Sequence, residues 1–277
     1  AASDVYKRQP VDDASLNVED NLQEFGPISD ADLEHFRSEA KRLRATDRAI
    51  LANFGGAAFG DIALVPVPWI KYPKGIRDIS EWYMSTAARR DYVYEVFDRQ
   101  CDIAIKNWTR IHEVVGETPS AVFVTGTDFG TQHGPFISPQ AYRDLYKPFH
   151  RRINDWIHAN TSWKSFIHSC GSVRIFIEDF VEAGFDILNP VQCSAAGMAP
   201  QELKDIYGDR LVFWGGGVDT QNTLPFGTPD DVRREVKERI RIFSPGGGFV
   251  FNTIHNVQAG ISTENVCALF ESFAENR

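Results

Sequence analysis

The chain has 277 residues, 43% of them hydrophobic, and a formal net charge of -9 at pH 7. This length can bury a large core and suits one α/β barrel or two small domains, of which we favour one domain. The acidic balance argues against nucleic acid as the main partner, because phosphate binding needs a basic surface. The longest apolar region, Ala49–Ile70, is interrupted by Asn53, Asp61 and prolines, so we expect no membrane span.

The cysteines indicate a reducing compartment. Four of them are irregularly spaced and no signal peptide precedes them, which is typical of free thiols in a cytoplasmic protein. They are Cys101, Cys170, Cys193 and Cys267. Cys101 falls on the apolar face of a predicted helix and is interpreted as a core residue, and Cys267 is interpreted as inert.

The start of the chain is interpreted separately from the rest. Ala1–Gln9 has no periodic pattern, and Ser3–Gln9 resembles a translated sequencing-adapter artefact. We therefore interpret residues 1–28 as a non-native or irregular segment and residues 29–277 as a barrel domain. If the first strands of that barrel are missing, apolar surface is exposed near Ala49–Phe54, and such an edge would favour a homodimer.

The predicted elements alternate along the chain. A polar helix is expected over Asp30–Arg44 with Ser29 as its N-cap, a strand within Ala49–Phe54, and helical structure within Ile79–Val115. Further strands are predicted at Ala121–Thr125, Lys164–Cys170, Phe185–Asn189, Leu211–Trp214 and from Gly248, and further helices from Ser138, at Val173–Ala183, at Pro200–Tyr207, from Thr228 and from Ser262.

About six strands therefore each lead to a helix, with polar residues at the carboxyl end of each strand. Parallel strands with helical crossovers form either an open doubly wound sheet or a closed barrel. No Gly-x-Gly-x-x-Gly follows the first strand, and a barrel can use every strand end in one site. We predict an α/β fold, a (β/α)8 TIM-type barrel that lacks its first strands.

His168 and Cys170 are the strongest candidates for chemistry. Side chains alternate along a strand, so these two residues point the same way at a strand's carboxyl end. Imidazole and thiolate are good zinc ligands, but two ligands do not make a site. The pair could also be a hydrogen-bonded core histidine beside a buried cysteine.

Other polar residues follow the neighbouring strands. Asp128 could act as an acid, a base or a substrate anchor, and Asp219 is a second candidate carboxylate. Amide side chains at strand ends are suited to orienting a polar substrate; these are Gln132, Asn189, Gln192 and Gln258.

Three segments resemble one family. Ile167–Gly171 (IHSCG), Leu188–Gln192 (LNPVQ) and Phe213–Thr220 (FWGGGVDT), with the helix start Glu264–Leu269, resemble the uroporphyrinogen decarboxylase superfamily in its branch of corrinoid-linked methyltransferases, such as methylcobalamin:coenzyme M methyltransferase. The resemblance covers roughly residue 29 to the C-terminus and implies a (β/α)8 barrel.

The resemblance also implies a zinc site. In the methyltransferase branch zinc is held by the His and Cys of His-x-Cys and by a later Cys at the end of the last strand. The first two positions correspond to His168 and Cys170, whereas the later one falls on His255. Imidazole is a sound zinc ligand but is neutral where thiolate is negative. Cys193 is an alternative ligand.

The expected function is a zinc-dependent methyltransferase of one-carbon metabolism. It would use a small-molecule methyl donor or acceptor and a corrinoid (methylcobalamin) carried on a partner protein. The alternatives are a carboxy-lyase like uroporphyrinogen decarboxylase and a degenerate barrel that binds without turnover. Residues 126–132 and 189–193 contain no Arg or Lys, which disfavours a multiply anionic porphyrinogen.

Overall fold

A computed structural model describes residues 11–277, so the adapter-like run Ser3–Gln9 lies outside the described residues. The fold is α/β. Six strands occur in one sheet whose order follows the chain, and every register that the structure defines is parallel. The strands are β1 (Leu51–Ala52), β2 (Ala121–Thr125), β3 (Lys164–His168), β4 (Ile187–Asn189), β5 (Val212–Trp214) and β6 (Phe249–Val250).

Helices connect these strands. They are α1 (Asp30–Leu43), α2 (Ile79–Ala88), α3 (Arg90–Val115), α4 (Pro139–Leu145), α5 (Lys147–Asn160), α6 (Ile177–Glu182), α7 (Pro200–Tyr207), α8 (Thr223–Phe226), α9 (Pro229–Phe243) and α10 (Thr263–Asn276). Short 3-10 helices occupy Asp13–Ser15, Val18–Asn21 and Arg174–Phe176. Among residues 11–277 no helix combines the length and the apolar character that crossing a bilayer requires.

The chain divides into two compact units that interleave in sequence. Of the described residues, the first unit comprises 11–127, Ile137–Phe166 and Glu182–Gly184. The second unit comprises Asp128–Phe136, Ile167–Val181 and Phe185–Arg277.

The first unit is built around one face of α3. Apolar residues recur there at intervals of three and four, as a buried helical face requires. The buried apolar residues of that face are Val93, Val96, Phe97, Cys101, Ala104, Trp108, Ile111 and Val115. The ring of Phe97 contacts those of Phe59, Trp82, Tyr146 and Phe149. The interpretation of Cys101 as a core residue is therefore confirmed.

The chain before α1 also packs on this unit. Asn21 is 4% exposed, its Nδ2 donates to Ile76 O at 2.9 Å, and Ile76 N donates back to its Oδ1 at 2.7 Å. Ser29 then caps α1, as predicted, by accepting a hydrogen bond from Asp32 N. The domain boundary at residue 29 stays a prediction.

The second unit holds the strands β4, β5 and β6. Ile187 pairs with Val212, and Phe213 pairs with Phe249. Helices α9 and α10 pack against each other beside them. The buried cluster between these helices and the adjoining loop contains Val218, Leu224, Val232, Val236, Ile240, Ala268 and Leu269. The predicted capping box at the start of α9 is present between Thr228 and Asp231.

Several predicted elements are shorter than expected. Within Ala49–Phe54 only Leu51–Ala52 is a strand, because Asn53 Oδ1 accepts a hydrogen bond from Gly55 N and turns the chain. Leu51 is 40% exposed there. Within Ile79–Val115 the helix is interrupted at Arg89, and the helix predicted from Ser138 divides at Tyr146, just before Pro148. The parallel α/β fold is confirmed, whereas closure into a barrel and missing first strands stay predictions.

Candidate functional site

His168 and Cys170 lie next to each other at the end of β3. His168 Nε2 and Cys170 Sγ are 3.3 Å apart, and both side chains are partly buried. This is the arrangement that the alternation of side chains along a strand predicts. The imidazole and the thiol are therefore close enough to bind one metal ion.

Asn189, at the end of β4, orients the His168 ring and favours one tautomer of the neutral imidazole. Its Nδ2 donates to Trp214 O at 2.8 Å, so its Oδ1 is the acceptor that lies 2.6 Å from His168 Nδ1. His168 Nδ1 must then be the donor. This leaves the lone pair of Nε2 directed toward Cys170, as a metal-ligating histidine requires.

Asp128 completes a group of three potential ligands. Cys170 N donates to Asp128 Oδ1 at 2.7 Å, and the ligand atoms of Asp128, His168 and Cys170 all lie within 4.8 Å of one another. Burial, and after it the negative charge of Asp128 and a hydrogen bond with it, raise the pKa of the Cys170 thiol to about 12. Cys170 is therefore a neutral thiol at pH 7 unless a cation displaces its proton.

Two glycines allow Asp128 to approach Cys170. Gly171 has φ +85°, and a Cβ atom there would lie 2.5 Å from Gly130 C. A Cβ atom at Gly130 would lie 2.7 Å from Ser172 N. The loops after β2 and β3 thus touch backbone to backbone, and Ser172 N donates to Thr131 O at 2.7 Å. Side chains at either glycine would separate the loops.

A cavity of about 370 Å³ lies beside this group. Its walls come from the loops that follow five strands, β2, β3, β4, β5 and β6. The lining residues are Asp128, Gln132, Cys170, Gln192, Thr220, Gln221, Ile254, His255, Asn256 and Gln258. In residues 11–277 this lining contains no Lys or Arg and no Phe, Tyr or Trp.

Residues 79–275, more than half of the chain, match the model of the uroporphyrinogen decarboxylase (URO-D) family. The chain belongs to the uroporphyrinogen decarboxylase family. A solved structure of a methyltransferase from Methanosarcina mazei has the same fold, with a TM-score of 0.59 and 18% sequence identity. That similarity covers 88% of this chain, and this chain spans 63% of the methyltransferase. No curated protein matches the chain.

The structure of this URO-D family member brings most of the predicted site residues together. Gln132, Gln192, Gln258 and His255 line the same cavity as Cys170. Gln192 also accepts a hydrogen bond from Gly171 N at 2.7 Å, which holds the loop after Cys170. The roles predicted for these residues stay predictions.

Three predicted residues lie elsewhere. Asn189 bonds to His168 rather than lining the cavity. Asp219 uses both carboxylate oxygens within its own loop, accepting from Gln221 N at 2.8 Å and from Asn222 Nδ2 at 2.9 Å. Cys193 Sγ donates to Val191 O at 3.4 Å, and burial raises the pKa of this thiol to about 12. It is not a member of the group of three ligands.

Sequence reasoning missed four residues of the lining and one role. The missed residues follow the ends of β5 and β6, close to residues that the sequence did indicate; they are Thr220, Gln221, Ile254 and Asn256. Asp128 was selected as an acid, base or anchor, and the structure makes it also a potential metal ligand. Its position after β2 was the available signal, since carboxyl ends of parallel strands meet at one edge of the sheet.

The group of three fits a zinc ion in its donor types and spacing. Imidazole, thiolate and carboxylate are all zinc ligands, and three protein ligands are typical of catalytic sites. Tetrahedral zinc places a bound nitrogen and sulfur about 3.6 Å apart, near the 3.3 Å between His168 Nε2 and Cys170 Sγ. The hydrogen bond from His168 Nδ1 to Asn189 supplies the outer partner that such histidines have.

Proposed function

We propose that this URO-D family member is a zinc-dependent methyltransferase of one-carbon metabolism that works with a corrinoid carried on a partner protein. The observation that carries the proposal is the group of Asp128, His168 and Cys170 at the wall of a cavity. Methyl transfer needs an activated nucleophile beside an open metal position. The fold shared with the Methanosarcina mazei methyltransferase is consistent with it.

His168 and Cys170 would hold the zinc, together with a third ligand. His255 is the third ligand implied by the family resemblance, and it lines the cavity. Asp128 is the third ligand favoured by distance. A carboxylate would also provide the negative charge that a second thiolate provides in the methyltransferase branch, so the zinc would carry a similar net charge.

Zinc bound there would supply a positive centre that lowers the pKa of a coordinated thiol or other nucleophile. The chain's own residues would do the rest. Asn189 orients the His168 ring through Nδ1, Asp128 holds the backbone of Cys170, and Gln192 holds the backbone of Gly171. The ligands are thus positioned before the substrate enters, which reduces the reorganisation that binding requires.

The family name makes decarboxylation the second candidate. That reaction on a porphyrinogen would require cations to bind several carboxylates. The lining, as described for residues 11–277, offers neither Lys nor Arg and places Asp128 in the wall. A polyanionic substrate would lose its hydration there without gaining a partner, so the cavity favours methyl transfer.

Metal analysis tests the proposal. The purified protein should contain about one zinc per chain, and Cys170→Ser should lose most of it, because serine keeps the size but not the thiolate. Cys267→Ser is the matched control, since Cys267 is exposed on α10. Full zinc content in Cys170→Ser, with unchanged circular dichroism, would place the metal elsewhere.

A further inference from the structure

The polar groups of the cavity are mostly carboxamides. Five of its ten lining residues are Gln132, Gln192, Gln221, Asn256 and Gln258, which we call the amide wall. They reach the cavity from the loops after β2, β4, β5 and β6. Each carboxamide both donates and accepts hydrogen bonds without carrying a charge.

The charge of a substrate group determines what that group would meet at the amide wall. An anionic group would leave water and meet amides and Asp128, with no cation in the described lining to replace its hydration. An ammonium group would meet no Phe, Tyr or Trp in the same lining, and in the proposed site the carboxylate of Asp128 is bound to the metal, so neither cation–π attraction nor a free carboxylate would hold it. An uncharged hydroxyl or amide can form hydrogen bonds to the amide wall in both directions.

Thr220 provides a second, independent observation. It borders the cavity, it is 7% exposed, and its hydroxyl has no hydrogen-bond partner within the described protein. A buried hydroxyl without a partner is destabilising, and native proteins rarely leave one so. The oxygen itself has almost no exposed surface, so an occupant that presents a hydrogen-bonding group would satisfy it after rotation about the Thr220 Cα–Cβ bond.

We infer that the cavity selects an uncharged, hydroxyl- or amide-bearing small molecule, with the amide wall and Thr220 as its specificity-determining residues. The inference rests on the proposed function for the reacting end of that molecule, which would lie at Asp128, His168 and Cys170. The inference adds the chemistry of the opposite end of the molecule, which would carry no sulfonate, carboxylate, phosphate or ammonium group.

Three thiols that differ in one terminal group test this directly. The purified protein is loaded with Co²⁺ in place of zinc and titrated with 2-mercaptoethanol, 2-mercaptoethanesulfonate and cysteamine. Binding is followed by the thiolate-to-cobalt absorption and compared at equal concentrations of thiolate. We expect 2-mercaptoethanol to bind at least about tenfold more tightly than the sulfonate and more tightly than cysteamine, because only it is uncharged.

Two variants connect the preference to named residues. Gln258→Lys places a cation in the amide wall and should improve sulfonate binding at least about fivefold. Gln201→Lys is the control, because it adds the same charge on the exposed side of α7, away from the cavity, and should leave sulfonate binding unchanged. Thr220→Val should weaken 2-mercaptoethanol about 3- to 10-fold and leave 1-propanethiol, which lacks the hydroxyl, unchanged.

The outcomes separate this inference from the proposed function. If the sulfonate or cysteamine binds as tightly as 2-mercaptoethanol, the charge selection is wrong while the metal site stands. If cobalt binds but no thiol changes its spectrum, a metal-bound thiol substrate is excluded and the inference fails with it. If Thr220→Val weakens both neutral thiols equally, Thr220 is structural and is removed from the specificity residues.

Discussion

At the scale of single residues, Asn189 on β4 orients the His168 ring through one hydrogen bond and is itself held by the backbone of β5 through another. It donates to Trp214 O and accepts from His168 Nδ1. We expect Asn189→Ala to weaken zinc affinity about 10- to 100-fold, the usual cost of losing the outer partner of a ligating histidine. Chelator competition measures this. Asn222→Ala, which removes a bond to Asp219 only, is the control, and equal affinities in the two variants would contradict the positioning role.

The identity of the third ligand can also be decided by substitution. We expect Asp128→Asn to lower zinc affinity more than tenfold, because its carboxylate is within 4.8 Å of the other two ligand atoms. His255→Gln, at an exposed position of the same cavity, is expected to change the affinity less than about threefold. The opposite order, measured by the same chelator competition, would establish His255 as the ligand.

These residue roles show what sequence could and could not provide. His168 and Cys170 were found because strand alternation is a local rule. The role of Asn189 could not be found in this way, because it depends on the orientation of the Asn189 amide, which is set by a hydrogen bond to Trp214 O on another strand. The proximity of Asp128 to both ligands likewise depends on two loops that are 42 residues apart at their hydrogen bond.

At the scale of elements, the contact between the loops after β2 and β3 is held by glycine. Gly171→Ala would combine a positive φ with a Cβ atom 2.5 Å from Gly130 C. We expect a loss of at least about 2 kcal/mol in the free energy of unfolding, together with lower zinc affinity.

Gly246→Ala separates the two causes of that loss. Gly246 has φ +74° but no atom within 4 Å of the added Cβ, so the substitution adds backbone strain without a clash. Its cost should be about 1 kcal/mol, with zinc affinity unchanged. Denaturant unfolding of both variants gives the comparison. If Gly171→Ala costs no more than Gly246→Ala, the close contact between the loops is not a constraint.

In the first unit, Glu117 fastens the end of α3 to the segment before β3. Its carboxylate accepts hydrogen bonds from the hydroxyl and from the backbone N–H of Ser162 and contacts His112 Nε2 at 3.0 Å. The Ser162 hydroxyl, then the Ser162 N–H, then His112 lower the pKa of Glu117 to about 2. The unfolded value is about 4.3, so the folded state binds its proton less readily.

A group whose pKa is lowered on folding stabilises the protein above its unfolded pKa and loses that contribution as the pH falls toward the folded value. Glu117 should therefore stabilise the protein above about pH 5, and its contribution should fade between about pH 4.5 and pH 2. Because the side chain is 51% exposed, we expect only about 1 kcal/mol from it. The free energy of unfolding of Glu117→Gln should therefore lie below that of the wild type at pH 7, and the difference should shrink as the pH falls from about 4.5 to 2. A difference that does not depend on pH would contradict this.

The elements themselves were largely predictable, because caps and apolar spacing are local signals. Ser29, Ser138 and the Thr228 capping box begin helices where the sequence indicated. The strand predicted from Gly248 was the poorest, since only Phe249–Val250 pairs and the three preceding glycines all have positive φ. Strand length depends on a partner's backbone, which sequence periodicity does not report.

At the scale of the whole molecule, family and fold agree while the reaction rests on the site. Membership of the uroporphyrinogen decarboxylase family was indicated by short motifs at strand ends and is shown by the match over residues 79–275. Related members of one fold run different chemistries, so the fold alone does not select between methyl transfer and decarboxylation. The proposal of methyl transfer rests instead on the ligand group and on a described cavity lining without Lys or Arg.

The most direct test of methyl transfer follows the cobalt itself. Zinc-loaded protein is mixed with methylcobalamin, standing for the partner's corrinoid, and with 2-mercaptoethanol, and loss of the methyl–cobalt absorption is recorded. We predict demethylation that requires zinc. Cys170→Ser should lower its rate at least about 100-fold, and Cys267→Ser should leave the rate unchanged, because only the first variant removes a metal ligand. Absence of zinc-dependent demethylation, with carbon dioxide released from a porphyrinogen by the same preparation, would contradict the account and establish the decarboxylase reaction.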